Sequence, residues 1–424
     1  MPIIVMMAVF LVLMLLSMPV SFSIFASSIV YFIMADLPLI SIVQRMTGGI
    51  NSFTLLAIPG FMLAGNIMNT GGITRRIFRA VKTPLRHING GLGHANVVAS
   101  VIFAGMTGSA IADTAGLGAI ELEAMRDAGY DEDFSLAITG ASSTIGPIIP
   151  PSIPMVLYAV AAGASIGRLF IGGVLPGLLM AACLCTMVSL QCRKRNYQTE
   201  PRAGLKEIFV DFGKAFFPLM TPVILIGGMM SGIFTPTEAA IIAIVYAIVL
   251  CIVYKAIDWK QFYHAMRETV VGTVPVLFVV ATANIFAWIL SREQIPAKFM
   301  EFLCQFIHSK TSALLFINAF LLVVGCFLDP PVAIPIVTPV LMPLVAAFGI
   351  DIVHFGVIMV LNLMIGLLTP PVGMILFVLS SVGKVPFEKV VKAVLPYLLA
   401  LVVSLLVVTF WEDIVLILPN LVFG

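Results

Sequence analysis

IGPIIPPS at 145–152 and IGLLTPPV at 365–372 are one design written twice, and both interrupt runs that otherwise read as membrane-spanning helix. The wider first stretch is GASSTIGPIIPPSIPM (140–155), and the second is LMIGLLTPPVGM (363–374). Proline removes a backbone donor and clashes with the carbonyl one turn earlier, so each cluster ends one helix and frees carbonyl oxygens before the next begins. Freed carbonyls cannot face lipid; they must be buried in protein or line a wet cavity. One such proline would read as a kink. Two matched Gly…Pro-Pro clusters read as paired sites, where carbonyls and half-helix C-termini suit cations and half-helix N-termini suit anions.

The duplication extends outward in both directions. GYDEDF (129–134) resembles GIDIVHF (349–355), and VLPGLL (174–179) resembles VLPYLL (394–399), at the same spacing of 220 that relates the two breaks. Upstream, Pro59/Pro275, Arg76/Arg292 and Asp113/Asp329 share a spacing of 216. An ordered series of this kind divides the chain into repeat one (1–191), a linker (192–215) and repeat two (216–424). Repeat one reads as scaffold helices within 1–69 (near 4–17, 19–34 and 51–69), a basic arm at 72–88, a hairpin at 91–126, a broken helix at 133–163 and a last helix at about 168–190. Repeat two reads as scaffold helices in 216–254, an arm at 292–308, a hairpin at 311–346 and a broken helix at 354–383.

Composition fixes the solvent. Hydrophobic residues make up 60% of the 424, charged residues only 10%, against roughly 25% charged in soluble domains. Mean hydropathy is +1.12, and apolar runs recur at the roughly 17–25 residues that cross a bilayer as a helix. No ladder of short alternating segments suggests a membrane barrel. The fold class expected is an all-α polytopic membrane protein. The linker CRKRNYQTEPRAGLKEIFVDFGK (192–214) is rich in Lys and Arg, which marks the cytoplasmic side. Counting crossings from it puts both termini outside, gives each repeat an odd number of crossings, and so makes the two repeats inverted in topology. That is the pattern of secondary transporters.

A second matched pair is AGMTGSAIADTAG (104–116) and VGCFLDPPVAIP (324–335), each a helical hairpin tip with one aspartate. Carboxylates within a membrane are costly and point to function, although either Asp113 or Asp329 could simply cap a turn. Carboxylate, hydroxyls and carbonyls together make a hard oxygen site suited to sodium. Arg292 reads either as an interfacial anchor or as a bidentate partner for an anion. Glu238 in FTPTEA (234–239) reads as the acid of a helix N-terminus, and His87 and His94 as solvated loop residues. The six cysteines form no CxxC pair and read as small hydrophobes. Walker A, Gly-x-Ser-x-Gly and His-Glu-x-x-His patterns are missing, which argues against ATP hydrolysis and against the common hydrolase chemistries.

At NTGGITRRIF (69–78), GGLGHANVVASVIFAGMTGSAIAD (90–113), AMRDAGYDED (124–133), IGPIIPPS, FTPTEAA (234–240), SREQI (291–295) and IGLLTPPVGM (365–374), the chain resembles the large membrane subunit of tripartite ATP-independent periplasmic (TRAP) transporters, the DctM family. The resemblance covers essentially the whole chain. It implies an elevator-type carrier in the bacterial inner membrane, driven by Na+ and not ATP, that takes up a small organic acid anion. It also implies a small four-helix membrane subunit and a periplasmic substrate-binding protein as partners, with no role for nucleic acid. One sodium site would use Thr107, Ser109, Gly146, Ile149 and Pro151; the other, Gly325, Asp329, Gly366, Thr369 and Val372. The substrate set would be Thr107, Ser109, Arg292 and Asp329, with Ser142 and Ser143 beside the first break, and Asp113 as a further candidate. Sialic-acid members carry serine where Thr107 stands and fewer prolines where DPPVAIP (329–335) stands, so sialic acid, C4-dicarboxylates and sugar acids all stay open. A stand-alone carrier of the same architecture is the near alternative. An intramembrane aspartyl enzyme built on Asp113 and Asp329 is the remote one.

Overall fold

In lipid a backbone must satisfy its own hydrogen bonds, and helices do so within one segment. The computed structural model describes residues 1–424 apart from 196 and 198, and those residues form helices with no strand among them. Eight of the described helices are long and apolar enough to cross a membrane.

The chain opens with Pro2–Leu15, Val20–Met34 and Ile40–Ile50, then a 3-10 turn at Phe53–Leu56 leading into Ala57–Thr70. The helix Ile40–Ile50 is not anticipated by hydropathy, because Gln44, Arg45 and the Gly48–Gly49 pair dilute its apolar face. The basic arm is a helix, Ile73–Leu85. The first hairpin is Gly91–Thr107, Ala110–Ala115 and Leu117–Asp127, and the first broken helix is Glu132–Ser143 with Ile153–Ala162. Ile166–Arg195 follows.

The second half starts with Leu205–Met230, Pro236–Val253 and Trp259–Arg292. It then gives Ile295–Cys304, the helix pair Lys310–Phe327 and Pro330–Ala347, the broken helix Ile352–Gly366 with Met374–Gly383, and Phe387–Phe410, before ending on Asp413–Phe423. The order arm, hairpin, broken helix, long helix is therefore the same in both halves. Trp259–Arg292 runs unbroken for 34 residues, where the first half has a helix, a turn and a second helix. The linker 192–215 keeps little length of its own, since Ile166–Arg195 and Leu205–Met230 occupy its two ends; residues 196 and 198 lie outside the described residues.

Two apolar cores hold these helices. The larger joins residues from Leu55 to Val415, including both broken helices, and the smaller gathers Met6, Ile24, Tyr31, Phe32 and Ile42 with Ile285, Phe286, Ile289 and Leu290. Trp259–Arg292 belongs to both, since Ala265 and Val280 lie in the larger. Glu238 does begin a helix: its carboxylate accepts from Thr235 N at 2.8 Å while Thr235 Oγ1 accepts from Glu238 N at 3.3 Å, a reciprocal cap. All six cysteines are free thiols.

Polar residues tie the basic end together. Arg195 donates to Asp131 and to both oxygens of Asp133 at 2.8 Å, so the end of the long helix is clamped to the start of the broken one. Arg86 reaches Glu207 at 2.7 and 3.0 Å, joining the arm to Leu205–Met230. His94 corrects an expectation. It lies within Gly91–Thr107, half-buried, with Nε2 3.3 Å from Ser189 Oγ, because the long helix Ile166–Arg195 packs against its face.

Candidate functional site

Each break sits against the tip of the hairpin that precedes it. In the first, Glu132–Ser143 stops and Ile153–Ala162 starts, with Ser152 capping the restart: Oγ accepts from Met155 N at 3.2 Å and donates back to Pro147 O. Turns within the break use Ile145 O, Ser142 O and Ser143 O as acceptors. The carbonyls of Gly146, Ile149, Pro150 and Pro151 receive no backbone donor. Gly108, at the hairpin tip, has φ +60°, and a Cβ there would strike Pro151 O. Glycine is required on both counts, and the approach brings Thr107 and Ser109 to the break. Gly146 faces the carbonyl of Ser109, about 4.0 Å from where its Cβ would be. Ser109 caps Ala110–Ala115 by accepting from Ala112 N at 3.4 Å. Thr107 Oγ1 is buried with no partner, on a residue only 7% exposed.

The second assembly is closer still. Gly325 and Gly366 cross backbone to backbone, so that a Cβ on Gly366 would lie 2.5 Å from Gly325 Cα and 2.7 Å from its carbonyl oxygen. Asp329 stands at the start of Pro330–Ala347 but its side chain makes no capping bond, which leaves the carboxylate free. Thr369 Oγ1 donates to Ile365 O at 2.8 Å and keeps its lone pairs available. The carbonyls from Leu368 to Val372 accept no backbone bond. The Pro150–Pro151 and Pro370–Pro371 bonds are both cis.

The structure thus brings Thr107, Ser109, Gly146 and Pro151 together at one break, with Ile149 in the same turn. It brings Gly325 against Gly366 at the other, with Thr369 and Val372 following in the turn and Asp329 on the hairpin tip. Oxygen-only environments of this kind fit a hard cation. No group of three His, Cys, Asp or Glu among the described residues could hold a transition metal.

Ser142 and Ser143 are a different case. Both are buried and already engaged: Ser142 Oγ donates to Asn96 Oδ1 at 2.6 Å and accepts from Ser100 at 3.1 Å, and Ser143 accepts from Thr114 at 2.8 Å. Their place is in the seam between hairpin and broken helix, since small hydroxyl residues let the helices approach closely. Arg292 is exposed at the end of Trp259–Arg292, 5.4 Å above the Trp288 ring, whose centroid lies 3.8 Å from Arg45. It makes no ion pair among the described residues, and its neighbour Glu293 accepts from Tyr31 OH.

Asp113 is not a cap. It is 1% exposed, inside Ala110–Ala115, and neither carboxylate oxygen has a hydrogen-bond partner among the described residues. Beside it the sequence reading missed Glu121, also 1% exposed, with Oε1 unpartnered. In the structure Glu121 shares a helix face with Leu117, Gly118 and Met125, all buried, where an acid has no water to meet. Asn96 and Ser100 were missed with it, because a helix interior of scattered polar residues has no motif.

Comparison with known proteins then gives the family. The chain is 44% identical over 409 residues to the sialic acid TRAP transporter large permease protein SiaM of Vibrio cholerae, covering 96% of each chain. It is 41% identical to the sialic acid TRAP transporter permease protein SiaT of Haemophilus influenzae, over 97% of this chain and 67% of that one. It is 40% identical to the C4-dicarboxylate TRAP transporter large permease protein DctM of Pseudomonas aeruginosa, over 87% of this chain and 86% of that one. These relatives are transporter permeases and not enzymes. Among solved structures, the YdaH transporter of Alcanivorax borkumensis superposes with a TM-score of 0.67 at 15% identity, over 88% of this chain and 87% of that one, a likeness of fold alone. The description "Tripartite ATP-independent periplasmic transporter, DctM component" matches residues 7–414, and this membrane-embedded chain therefore belongs to the DctM family of TRAP transporter large subunits.

Proposed function

We propose that this chain is the transport-carrying subunit of a sodium-driven importer of an organic acid anion. The observation that carries the reading is the pair of hairpin–break assemblies, each collecting unpaired main-chain oxygens. One of them adds the orphaned Thr107 hydroxyl, and the other adds the uncapped Asp329 carboxylate. A buried hydroxyl with no partner costs about 1–3 kcal/mol, a penalty that a bound cation removes. Sodium held by Thr107, Ser109, Gly146, Ile149 and Pro151, and by Gly325, Asp329, Gly366, Thr369 and Val372, is therefore cargo that moves with the substrate. Between the assemblies, hydroxyls and half-helix N-termini favour a carboxylate. Arg292 is the proposed bidentate partner.

The same order of elements in both halves, at near-constant sequence spacing, supports two inverted repeats. The basic arm and Arg195 cluster support an orientation with both termini periplasmic. In an elevator movement the hairpins and breaks travel together against a scaffold of the N-terminal helices, Leu205–Met230, Pro236–Val253 and Trp259–Arg292. The names of the relatives favour sialic acid and C4-dicarboxylates as substrates to test first. Membership of a tripartite family favours work with a small membrane subunit and a periplasmic binding protein over stand-alone transport.

The test is uptake into vesicles holding this chain with its small subunit, supplied with loaded binding protein. An inward sodium gradient is expected to drive accumulation. Uptake indifferent to that gradient, or equal uptake by this chain alone, would overturn the coupling or the partnership respectively.

A further inference from the structure

A cavity of about 510 Å³ lies between the arm, Leu205–Met230 and the turn after Pro236–Val253, far along the chain from either break. Its walls carry Arg75, Arg76, Arg79, Lys214 and Lys255 against one carboxylate, Asp211. Asp211 is buried and already matched: Arg79 Nε lies 3.2 Å from Oδ1, and Thr83 donates to Oδ2 at 2.7 Å. Arg75, Arg76, Lys214 and Lys255 make no ion pair among the described residues. Four uncompensated cations share one small space.

Packing fixes Arg76, while Arg75, Lys214 and Lys255 line the cavity as exposed side chains. The Arg76 guanidinium lies 4.2 Å over the Tyr254 ring, and Tyr254 OH donates to Lys214 O at 3.1 Å, which locks three elements around the cavity. Lys255 has φ +49°, a backbone that glycine adopts without strain and other residues rarely do. Like charges held together lower stability unless something anionic joins them.

A second, mostly apolar cavity of about 240 Å³ is lined by Ile67, Ile248, Cys251, Ile252 and Phe262, with Asp258, whose carboxylate is taken up in capping the next helix by accepting from Gln261 N at 2.7 Å. Trp259 stands beside it, 80% exposed, as tryptophan does at the level of lipid headgroups. The chain runs directly from Tyr254–Ala256 in the cationic cavity to Ile257 and Trp259 in the apolar slot, so a phosphate site and an acyl-chain site adjoin at this turn. We propose that this is a binding site for one anionic phospholipid of the cytoplasmic leaflet, with its phosphate against Arg75, Arg76, Lys214 and Lys255 and one chain in the slot. Basic pockets between membrane helices on the cytoplasmic side take such headgroups. The site is independent of the sodium and substrate assignments.

The test uses the full chain in detergent, titrated with phosphatidylglycerol, with phosphatidylcholine and with inorganic phosphate, read by native mass spectrometry and by melting temperature. One phosphatidylglycerol per chain is expected to survive where phosphatidylcholine does not, and to raise the melting temperature where inorganic phosphate does not. Arg75→Gln with Lys214→Gln should weaken phosphatidylglycerol retention roughly thirtyfold, with an unchanged melting temperature in phosphatidylcholine. Should that pair fail to fold, Lys255→Gln alone reads the same loss at roughly fivefold. Equal retention of both lipids overturns the proposal. A rise with inorganic phosphate matching that with phosphatidylglycerol makes the cavity a soluble-anion site and overturns it too. Release of the lipid on adding the small membrane subunit would assign the cavity to a protein partner instead.

Discussion

Replacing Gly366 by alanine puts a methyl group where the backbone of Gly325 runs. The new carbon would stand 2.5 Å from Gly325 Cα and 2.7 Å from its oxygen, and ordinary contact begins at 3.4 Å. Backbone atoms cannot rotate aside, and the nearest, the Gly325 carbonyl carbon, lies 2.4 Å away, so the crossing helices have to part by about 1.0 Å, a strain in the range of about 1–3 kcal/mol for an overpacked site. Both carbonyls belong to the proposed second sodium site. If the ion needs the closed crossing, that strain appears as roughly 5- to 150-fold weaker sodium binding. Sodium half-saturation of uptake, and of thermal stabilisation in detergent, measures it. Two further glycines calibrate the effect. At Gly325 the added carbon meets Gly366 Cα at 3.1 Å and Leu363 Cα at 3.3 Å, so Gly325→Ala should fall between Gly366→Ala and wild type. Nothing lies within 4 Å at Gly213, and Gly213→Ala should match wild type. A Gly366→Ala protein with wild-type sodium midpoint and melting temperature would refute the reasoning, as would the reverse order of the three.

Thr107→Val removes a buried hydroxyl that has no partner; without sodium the variant should be as stable as wild type or more so, yet bind sodium more weakly, and a midpoint unchanged in a sodium titration counts against the first site. Asp329→Asn keeps shape and insertion but removes the charge that no cap uses, so uptake should lose its dependence on the sodium gradient, measured in vesicles; retained dependence would leave Asp329 a structural role only. Arg292→Lys preserves charge but not the planar fork, so KM for the anion should rise with the sodium midpoint unchanged; a wild-type KM would reduce Arg292 to an anchor stacked on Trp288.

What could be read from the sequence was what proline and glycine punctuate. IGPIIPPS and IGLLTPPV mark breaks because no membrane helix continues through them, and the structure ends and restarts helices at 143/153 and 366/374. Thr107 and Ser109 entered through the family resemblance, and the structure sets the glycine between them, Gly108, against Pro151 O. Glu121 was not, since nothing in LGAIELEAMRD (117–127) distinguishes an acid facing water from one turned into a hairpin until the packing partner is known. Ser142 and Ser143 misled for the same reason: a hydroxyl near a break can face the cavity or the neighbouring helix, and here Asn96 and Thr114 claim them. Ile40–Ile50 went unseen because a short helix with Gln44 and Arg45 is held by tertiary contacts that a hydropathy window does not sense.

The unbroken helix Trp259–Arg292 has a consequence of its own. Trp259 and Trp288 lie 29 residues apart on it, about 44 Å along the axis. A bilayer measured across its headgroups is about 40–45 Å thick. One tryptophan stands exposed at the first turn, and the other is held between Arg45 and Arg292 near the last. The helix is thus long enough to run from one headgroup layer to the other. In thinner lipid it must lean, because tilt is how a long span is accommodated, and the hairpin helix Pro330–Ala347 packed along it would lean with it. Bilayer thickness would then bear on the hairpin as well as on the helix.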